Sequence, residues 1–460
     1  MIELPAGWET ATLGSVSIKL VDGSHNPPAK RESGRPMLSA RNIQNGRIVF
    51  SDYRLIDPGA FVSEDSRTRI SQGDVLLTIV GALGRSAVVG SNNEPFTLQR
   101  SVAVITPSAI LDSFYLSYYF RSPDFQEWIQ ENAKGTAQKG LYLRKLATSV
   151  VPIAPLSEQR RIVAKLDSLF ERTRRAREEL SHIPRLIENY KKAILEAAFR
   201  GDLTRDWRDA HDVLVESWSI RTLDTLLTGT RAGKNLRCEE RPPREHERGV
   251  VKVSAVTWGT FDTSQAKTLP AGFNPSPDTL IRSGDFLFSR ANTIDLVGAC
   301  VIVENAPENL YLSDKVLRLD MPNAAKPWVL WFLRCRQGRE LLENASTGNQ
   351  LSMRNVSQSA LRAIACPWPT APERHEILRR IESSMQAIER IKSEQSVAAK
   401  LLDHFDQANL VKAFRGELVP QDPNDEPASV LLERICAARA EQPKNTRKGR
   451  GKTANARVAA

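Results

Sequence analysis

Cysteine is scarce in this 460-residue chain, and its placement argues against a disulfide framework. The five cysteines are odd in number, widely spaced and confined to the second half of the sequence. Such a set is typical of reduced thiols in the cytosol rather than of a cross-linked secreted protein. We therefore expect a cytoplasmic protein.

Long hydrophobic runs are also missing. No stretch reaches the roughly 20 uncharged apolar residues that a membrane span requires. The first residues, from Met1 to Pro5, lack the basic start and apolar stretch of a secretory signal. Hydrophobic residues nevertheless make up 41% of the chain, which is enough for two or three sizeable cores. The sequence predicts a folded protein that does not enter the membrane.

Sequence signatures of catalysis are absent as well. The turn Asn26-Pro27-Pro28 is followed by Ala29, where an amino-methyltransferase loop needs an aromatic ring to stack on the flipped base. No lysine has Asp or Glu two positions before it, as many Mg²⁺-dependent nucleases require. No segment has the spacing of a phosphate-binding loop, and the six histidines form no zinc cluster. We expect no catalytic residue and no metal site.

The chain does contain a surplus of positive charge, with 64 basic and 54 acidic residues. Such a surplus favours polyanionic partners, because each neutralised phosphate releases condensed counterions. Part of it lies in residues 421–460, a basic tail that we expect to be disordered.

An internal repeat organises the chain. The segment Ala198–Leu203 matches Ala413–Leu418 at an offset of 215 residues, and further upstream the offset drops slightly. Other matched pairs are Glu158 with Glu373, Trp8 with Trp218, Gly46 with Gly259, and Gly73-Asp74 with Gly284-Asp285. Matches that keep one order along two halves indicate a tandem duplication.

Each copy consists of a globular module and a helical segment. Short β-type runs, such as Val75–Val80 and Val297–Val303, alternate with turns and with helices around Phe114–Asn132 and Pro327–Asn344. This pattern predicts an α+β fold. The expected divisions are a first module at 1–150, a helical spacer at 151–208, a second module at 209–366, a second spacer at 367–420 and a tail at 421–460.

The helical segments have a coiled-coil period. Ser157 and Glu158 offer an N-cap and an acid in the first turn, and apolar residues then alternate in steps of four and three from Ile162 to Ala197. The second copy repeats the pattern from Ile377 to Asn409. Small seam residues in the first copy, Thr173 and Ala176, match the large Ile388 and Ile391 in the second. The pattern predicts that the two helices pair with each other as an antiparallel coiled coil.

The helix ends carry their own signals. Gly201 and Gly416 should act as C-terminal caps, and Pro184 should kink or interrupt the first helix. A continuous helix would be roughly 60 Å long at about 1.5 Å per residue. An antiparallel pair would hold the modules at opposite ends of a rod that spans about two DNA turns of roughly 34 Å each.

The motifs resemble the specificity subunits of type I restriction–modification enzymes, up to about residue 420. The residues that carry this resemblance are Trp8 with Leu13-Gly14, Asp22-Gly23-Ser24-His25, Asn42–Ile48, Gly73–Leu76 with Gly84-Arg85, Lys134-Gly135-Thr136, and Pro152–Gln159. The second copy departs from the pattern at Pro367–Arg374 and shows no evident counterpart of Asp-Gly-Ser-His.

The resemblance implies a non-catalytic subunit that binds double-stranded DNA. Its two globular modules would be target-recognition domains, each reading one half of a split target. Two methyltransferase subunits would dock on the helical segments, and restriction/translocase subunits would complete the enzyme. S-adenosylmethionine, ATP and Mg²⁺ would be bound by those partners rather than by this chain.

DNA-binding candidates are basic and amide side chains able to reach phosphates or base edges. In the first module they are His25, Lys30, Arg67, Arg69, Arg85, Arg100, Lys134, Lys139, Arg144 and Lys145; in the second, Arg231, Lys234, Arg237, Arg290, Asn292, Lys315, Asn349, Gln350 and Arg354. The groups Lys134–Lys145 and Asn349–Arg354 are preferred because both precede a long helix, whereas His25 suits a turn better than a base contact.

Two other functions stay open at this point. The chain could be a coiled-coil scaffold that organises protein partners and binds DNA only weakly and without specificity. It could also be an autonomous methyltransferase or nuclease, which Ala29 and the missing acid-x-Lys motif disfavour.

Overall fold

The computed structural model of the protein describes residues 4–135, 139–257, 259–350 and 353–441. The chain divides into two compact units, residues 1–180 with 397–460 and residues 181–396. Each unit thus combines one globular module with parts of both helical segments. The divisions expected at 150, 208, 366 and 420 separate each module from a helix. The boundaries between the compact units instead fall in the middle of each long helix.

Short strands and helices build the first module and lead into the first long helix. The strands are β1 (Glu9–Thr12), β2 (Ser17–Asp22), β3 (Arg35–Leu38), β4 (Ile43–Gln44), β5 (Arg47–Ile48), β6 (Arg54–Ile56), β7 (Val75–Thr78), β8 (Ser86–Val88), β9 (Thr97–Leu98), β10 (Val102–Pro107) and β11 (Val150–Ile153). The helices are α1 (Leu13–Val16), α2 (Pro58–Thr68), α3 (Ser113–Arg121), α4 (Pro123–Asn132), α5 (Leu143–Leu146) and α6 (Leu156–Arg200).

The second half of the chain has a related but not identical order of elements. Its strands are β12 (Ser219–Thr222), β13 (Gly229–Arg231), β14 (Gly249–Val251), β15 (Ala266–Thr268), β16 (Phe286–Ser289), β17 (Ala291–Asn292), β18 (Cys300–Ile302), β19 (Leu310–Tyr311), β20 (Val316–Asp320), β21 (Ser346–Gln350), β22 (Met353–Val356) and β23 (Ala365–Trp368). Its helices are α7 (Arg205–Ala210), α8 (Leu223–Leu226), α9 (Lys326–Arg334), α10 (Arg336–Ala345), α11 (Gln358–Arg362), α12 (Ala371–Phe414) and α13 (Ala428–Glu441).

Both modules are built around a four-stranded antiparallel sheet. The strand order is β2-β10-β7-β8 in the first and β13-β20-β16-β18 in the second. A three-stranded sheet accompanies each, β6-β3-β9 and β15-β14-β19, and a two-stranded ribbon, β1-β11 or β12-β23, leads to the long helix. The predicted α+β fold, with a long helix after each module, is confirmed.

The strongest sequence matches are explained by equivalent contacts. Trp8 donates from Nε1 to Glu158 at 3.0 Å, and Trp218 donates from Nε1 to Glu373 at 2.8 Å, so in each copy an early tryptophan ties the ribbon to the first turn of a long helix. The glycine of each Gly-Asp pair has a positive φ. The following aspartate, Asp74 or Asp285, accepts from the backbone three residues earlier, which closes the turn before a buried strand.

The two long helices run antiparallel where they meet. In the first unit the start of α6 contacts the end of α12, with Thr173 donating to Asp406 at 2.9 Å and Arg177 to Asp403 at 2.9 Å. In the second unit the end of α6 lies beside the start of α12, and Arg380 of α12 donates to the Leu203 carbonyl at 2.8 Å. Thr173 thus lies at the contact between the helices, as its place in the period indicates, and its partner on α12 is a carboxylate.

Each long helix ends inside a module core. Phe199, at the end of α6, packs at a steep angle against Trp328 and Phe332, with ring centroids 4.8 and 5.5 Å apart. Phe414, at the end of α12, packs against Tyr115 and Tyr119 at 5.1 and 5.2 Å. The glycines that follow, Gly201 and Gly416, have φ of 85° and 72°, the left-handed conformation predicted for C-caps.

Two local predictions about α6 need correction. The helix begins at Leu156, so Ser157 lies in its first turn rather than at the cap. The helix is also continuous through Pro184, so of the two effects expected from this proline the interruption does not occur. A proline removes one backbone donor, but a helix of 45 residues with packed faces tolerates that loss.

The tail is ordered over part of its length, which corrects the expectation of disorder from residue 421. Asp425 pairs with Arg161 at 2.6 Å, and the Ala428 backbone donates to the Gly7 carbonyl at 2.9 Å. Leu431 is buried in the first core because α13 presents an apolar face with Leu432 and Ile435. The basic end, 442–460, lies outside the described residues.

Candidate nucleic-acid interface

The sheet of the first module gathers its loops at one edge. Because neighbouring strands are antiparallel, the ends of β2 and β7 lie beside the starts of β10 and β8. We call the loops there, residues 23–25, 79–85 and 99–101, together with residues 134–135 and 139–141, the first loop edge. Hydrogen bonds connect the loops: Arg100 N donates to the Ser24 carbonyl at 2.8 Å, and Leu141 N to the Ile79 carbonyl at 2.8 Å.

Six of the first-module candidates come together at this edge. Arg85, Arg100, Lys134 and Lys139 are exposed, and within the described residues their side chains have no acidic partner. Arg67 and His25 both bond to Asp22, His25 Nε2 at 2.8 Å, so this carboxylate holds two candidates beside the end of β2. His25 is thus part of a bonded turn, in agreement with the two prolines that follow it at positions 27 and 28.

The other first-module candidates lie elsewhere. Arg69 is the left-handed C-cap of α2, near the start of β7 at the opposite edge of the sheet, where its carbonyl accepts from Lys19 at 2.8 Å. Lys30 lines an open cleft with Asp52 and Tyr53. Arg144 and Lys145 are exposed on α5. Half of the preferred group Lys134–Lys145 therefore lies outside the edge.

The second module has an equivalent edge. We call residues 232–234, 290–299 and 313–315, together with the hairpin β21–β22, the second loop edge. Arg290 N donates to the Lys315 carbonyl at 3.0 Å, and Val356 N donates to the Arg290 carbonyl at 2.9 Å, which joins the hairpin to the sheet. Lys234 and Lys315 are exposed there.

Several second-module candidates are already engaged within the protein. Arg354 donates to the Ser346 and Gly348 carbonyls at 2.8 and 2.9 Å and so braces its own hairpin. Arg231 pairs with Asp278 and Asp320 at 3.2 and 3.1 Å.

The remaining second-module candidates differ in how far they are free to reach DNA. Arg290 donates from Nε to Asn355 at 3.2 Å, and Asn292 lies beside it in β17, where its side chain bonds to Ser289 and Thr293. Arg237 is exposed between β13 and β14, away from the edge. The side chains of Asn349 and Gln350 lie outside the described part of the protein.

The structure supplies a counterpart that the sequence did not reveal. Gly23 and Gly233 each lie against the carbonyl of an equivalent leucine, where an added Cβ would stand 2.2 Å from Leu98 O or 1.7 Å from Leu312 O. Ala232-Gly233-Lys234 therefore occupies the place of Asp22-Gly23-Ser24. Of the three positions only the glycine is the same, because the two modules share only the close backbone contact. The offset between the copies is smaller here than 215 residues, so the sequence comparison did not show the match.

Metal sites and membrane-spanning helices are not found in the part of the chain that the structure describes. Among the described residues, no group of three or more His, Cys, Asp or Glu side chains is placed to hold a metal ion. No helix in that part of the chain is both long and apolar enough to cross a membrane.

Comparison with known proteins supports the family resemblance. Residues 5–184 match the family model for the type I restriction modification DNA specificity domain. The chain is 25% identical to the EcoKI specificity subunit of Escherichia coli K12, with 95% of this chain and 97% of that protein covered. It is 23% identical to the StySPI specificity subunit of Salmonella potsdam, with 95% and 96% covered.

Solved structures show the same fold. An HsdS subunit from Thermoanaerobacter tengcongensis superposes with a TM-score of 0.57 at 20% identity, covering 90% of this chain and 98% of its own. A chain from a type I R-M system, in a study of complex assembly and conformational transition, gives 0.62 at 20% identity, with 90% and 100% covered. The resemblance inferred from the motifs is confirmed.

Proposed function

We propose that this chain, a relative of the type I restriction enzyme specificity subunits, binds double-stranded DNA and reads a bipartite target, one half with each loop edge. The main support for the proposal is that the same arrangement of strands and loops occurs in both modules, with different side chains at the two loop edges. The first edge presents Arg85, Arg100, Lys134 and Lys139, and the second presents Lys234, Arg290, Asn292 and Lys315. Arg, Lys and Asn side chains are suited to phosphates and base edges.

Not every basic candidate is equally suited to DNA. We assign Arg231 and Arg354 to holding the loops, because their guanidinium groups are already bonded within the chain. Arg67 and His25 orient the turn through Asp22, from which either could reach a phosphate. Lys30, Arg69, Arg144, Lys145 and Arg237 lie away from the edges and fit phosphate contacts at most.

The helices offer surfaces for protein partners. Val397, Leu401 and Phe405 of α12 are four residues apart and exposed by 53, 60 and 46%, so they form one apolar face in the first unit. In the second unit Leu186 and Tyr190 of α6 are exposed in the same spacing. Apolar side chains on one helix face support docking of two methyltransferase subunits, with restriction/translocase subunits joining the assembly.

Catalysis is assigned to those partners, in a complex acting in the cytoplasm. S-adenosylmethionine, ATP and Mg²⁺ would be bound by the methyltransferase and translocase subunits. The pure chain should therefore neither methylate nor cleave DNA in the presence of these compounds. Activity of the single protein would contradict the assignment.

The proposal is tested by module exchange. Replacing residues 1–150 with the equivalent module of another specificity subunit should change one half of the target and leave the other half as it was. Sequencing methylated sites in cells that carry the complete system measures this directly. A change in both halves would contradict the two-edge model, and equal binding to specific and random DNA would favour the scaffold alternative.

A further inference from the structure

A groove of about 1000 Å³ lies within the first unit, between the module and the halves of the long helices that pack there. Its walls are α3, with Phe114, Tyr118 and Arg121, the start of α6, with Asp167 and Phe170, and the end of α12. We call it the Arg121 groove. It is separate from the first loop edge and uses none of the DNA-binding candidates.

The carboxylates of the groove already have partners. Asp167 accepts from the Tyr118 hydroxyl, and Glu171 accepts from Arg174 at 2.8 Å. Asp403 and Asp406 both accept from Arg177, at 2.9 and 2.8 Å. None of these acids is left to bind a further cation.

Arg121 has no such partner. Its guanidinium stacks on Tyr118 and Phe170, 5.3 and 4.9 Å from the ring centroids. Among the described residues, its side chain has neither a hydrogen-bond acceptor nor an acidic group at ion-pairing distance. A guanidinium carries five donors, and burial, which lowers the pKa of Arg121, removes part of their hydration.

The second copy has an arginine at the equivalent position, and its guanidinium is hydrogen-bonded within the protein. Arg334 ends α9 as Arg121 ends α3, and it stacks on Trp331 at 5.4 Å. There the guanidinium donates to the Gly259 and Cys300 carbonyls, each at 2.8 Å. Gly46, the sequence counterpart of Gly259, lies beside the Arg121 guanidinium, but Arg121 makes no equivalent bond. The duplication has thus kept the arginine and its aromatic support while leaving one copy without acceptors.

We propose that the Arg121 groove binds an acidic segment of a partner protein, with one carboxylate on Arg121 and a neighbouring apolar side chain on Phe114. Phe114 is 52% exposed at the groove, and pairs of Arg with aromatic residues are frequent anchors of protein interfaces. The lining carries four carboxylates and four arginines, so its net charge does not favour DNA, and the apolar Phe114, Phe170 and Leu410 near Arg121 suit a protein segment better than a phosphate backbone. This inference rests on the proposed function, under which the partner is a methyltransferase subunit.

The test is calorimetric titration of a purified methyltransferase subunit into the full-length chain. The native chain should take up two copies. Arg121→Gln should weaken one of the two sites at least tenfold and leave the other unchanged, because Arg334 is already bonded. Arg35→Gln, at an exposed arginine of β3 that lies outside the groove and is not a DNA-binding candidate, is the matched control and should leave both sites intact.

A second variant distinguishes loss of the docking site from misfolding of the chain. Phe114→Ala removes an exposed side chain and should weaken the same site by about threefold or more. If both variants titrate like the control, the groove is not a docking site and the inference fails, while the proposed function stands. If the native chain takes up no methyltransferase subunit, the docking part of the proposed function fails as well.

Discussion

Buried carboxylates stand at the start of both long helices, and their surroundings differ. Glu373 is fully buried and accepts from Arg208 at 2.8 Å, from Trp218 and from Thr204. Glu158 is equally buried but has only Trp8, and its second oxygen has no hydrogen-bond partner among the described residues. The duplication therefore preserved the carboxylate while only the second copy holds it with a cation.

Arg208→Ala should destabilise the second unit by about 3–5 kcal/mol, because removing one member of a buried ion pair leaves an uncompensated charge. Urea unfolding followed by tryptophan fluorescence measures the change. Arg205→Ala on the same helix is the control: its pair with Asp202 is exposed, so the change should stay below about 1 kcal/mol. Equal effects of the two substitutions would contradict the structural role of the buried pair.

Glu158 should make the stability of the first unit depend on pH. Burial raises the pKa of this carboxyl above its ordinary value, so the folded state binds a proton more tightly than the unfolded state. Its contribution is fully present below the unfolded pKa of about 4.3 and is lost as pH rises through the folded pKa. Glu158→Gln keeps an acceptor for Trp8 and removes this loss.

The variant should therefore gain thermal stability relative to the native chain between pH 4 and pH 7.5. Melting both proteins across that range by differential scanning calorimetry gives the comparison. A constant difference in melting temperature at all pH values would show that Glu158 does not titrate in this window.

For single residues, the sequence predicted which positions are equivalent in the two copies better than it predicted what those residues contact. Trp8 and Glu158 were found as matches to Trp218 and Glu373, but their hydrogen bonds depend on the ribbon meeting the helix. Charge alone made Arg231 and Arg354 look like DNA contacts. Their intramolecular acceptors come from Asp278, Asp320 and the hairpin backbone, which no local pattern connects to them.

Among the elements, the loops at the sheet edges depend on one close backbone contact each. Gly233 approaches the Leu312 carbonyl so closely that any side chain would displace the loop carrying Lys234. Gly233→Ala should cost about 1–3 kcal/mol and reduce binding to one half-site, since a packed neighbour must move. Gly59→Ala is the control, because its new methyl would meet only the side chain of Asp57.

Binding to DNA carrying each half-site separately, measured by fluorescence anisotropy with the assembled complex, distinguishes the outcomes. Loss at one half-site supports the loop-edge assignment, and Gly23→Ala should impair the other. If Gly233→Ala binds both half-sites like the control, the second loop edge is not the reading surface.

Element boundaries were predictable where periodicity was strong. The long helices follow their seam of apolar residues, and the helices near Phe114 and Pro327 appear as pairs divided at Ser122 and Cys335. The loop edges were not predictable, because which strand ends lie together depends on strand order. The sequence predicts disorder for the tail because basic residues dominate its end. The apolar face of α13 is buried only through contact with the first core, which the local sequence does not show.

For the whole molecule, the paired helices are expected to set the gap between the two half-sites. Inserting seven residues into both helices, after Leu180 and after Ser396, keeps the seam in phase and adds about 10 Å at about 1.5 Å per residue. The gap should lengthen by about three base pairs while the half-sites stay the same. Methylation mapping in cells reads both quantities.

The same insertion in the exposed turn near Asn92 should leave the gap unchanged. An unaltered gap after lengthening both helices would mean that they are not the spacer. The period and the repeat of the sequence predict this spacer; the antiparallel contacts within each unit show the helix pairing alone.

The placement of Phe414 and α13 in the first core sets an order of events during synthesis. The second unit is one continuous stretch, residues 181–396, so it can finish folding as soon as it leaves the ribosome. The first unit emerges earlier but must wait for Leu410, Phe414 and Leu431 before its core is closed. The module made first is completed last, and a chain released before residue 414 would present an open core to chaperones and proteases.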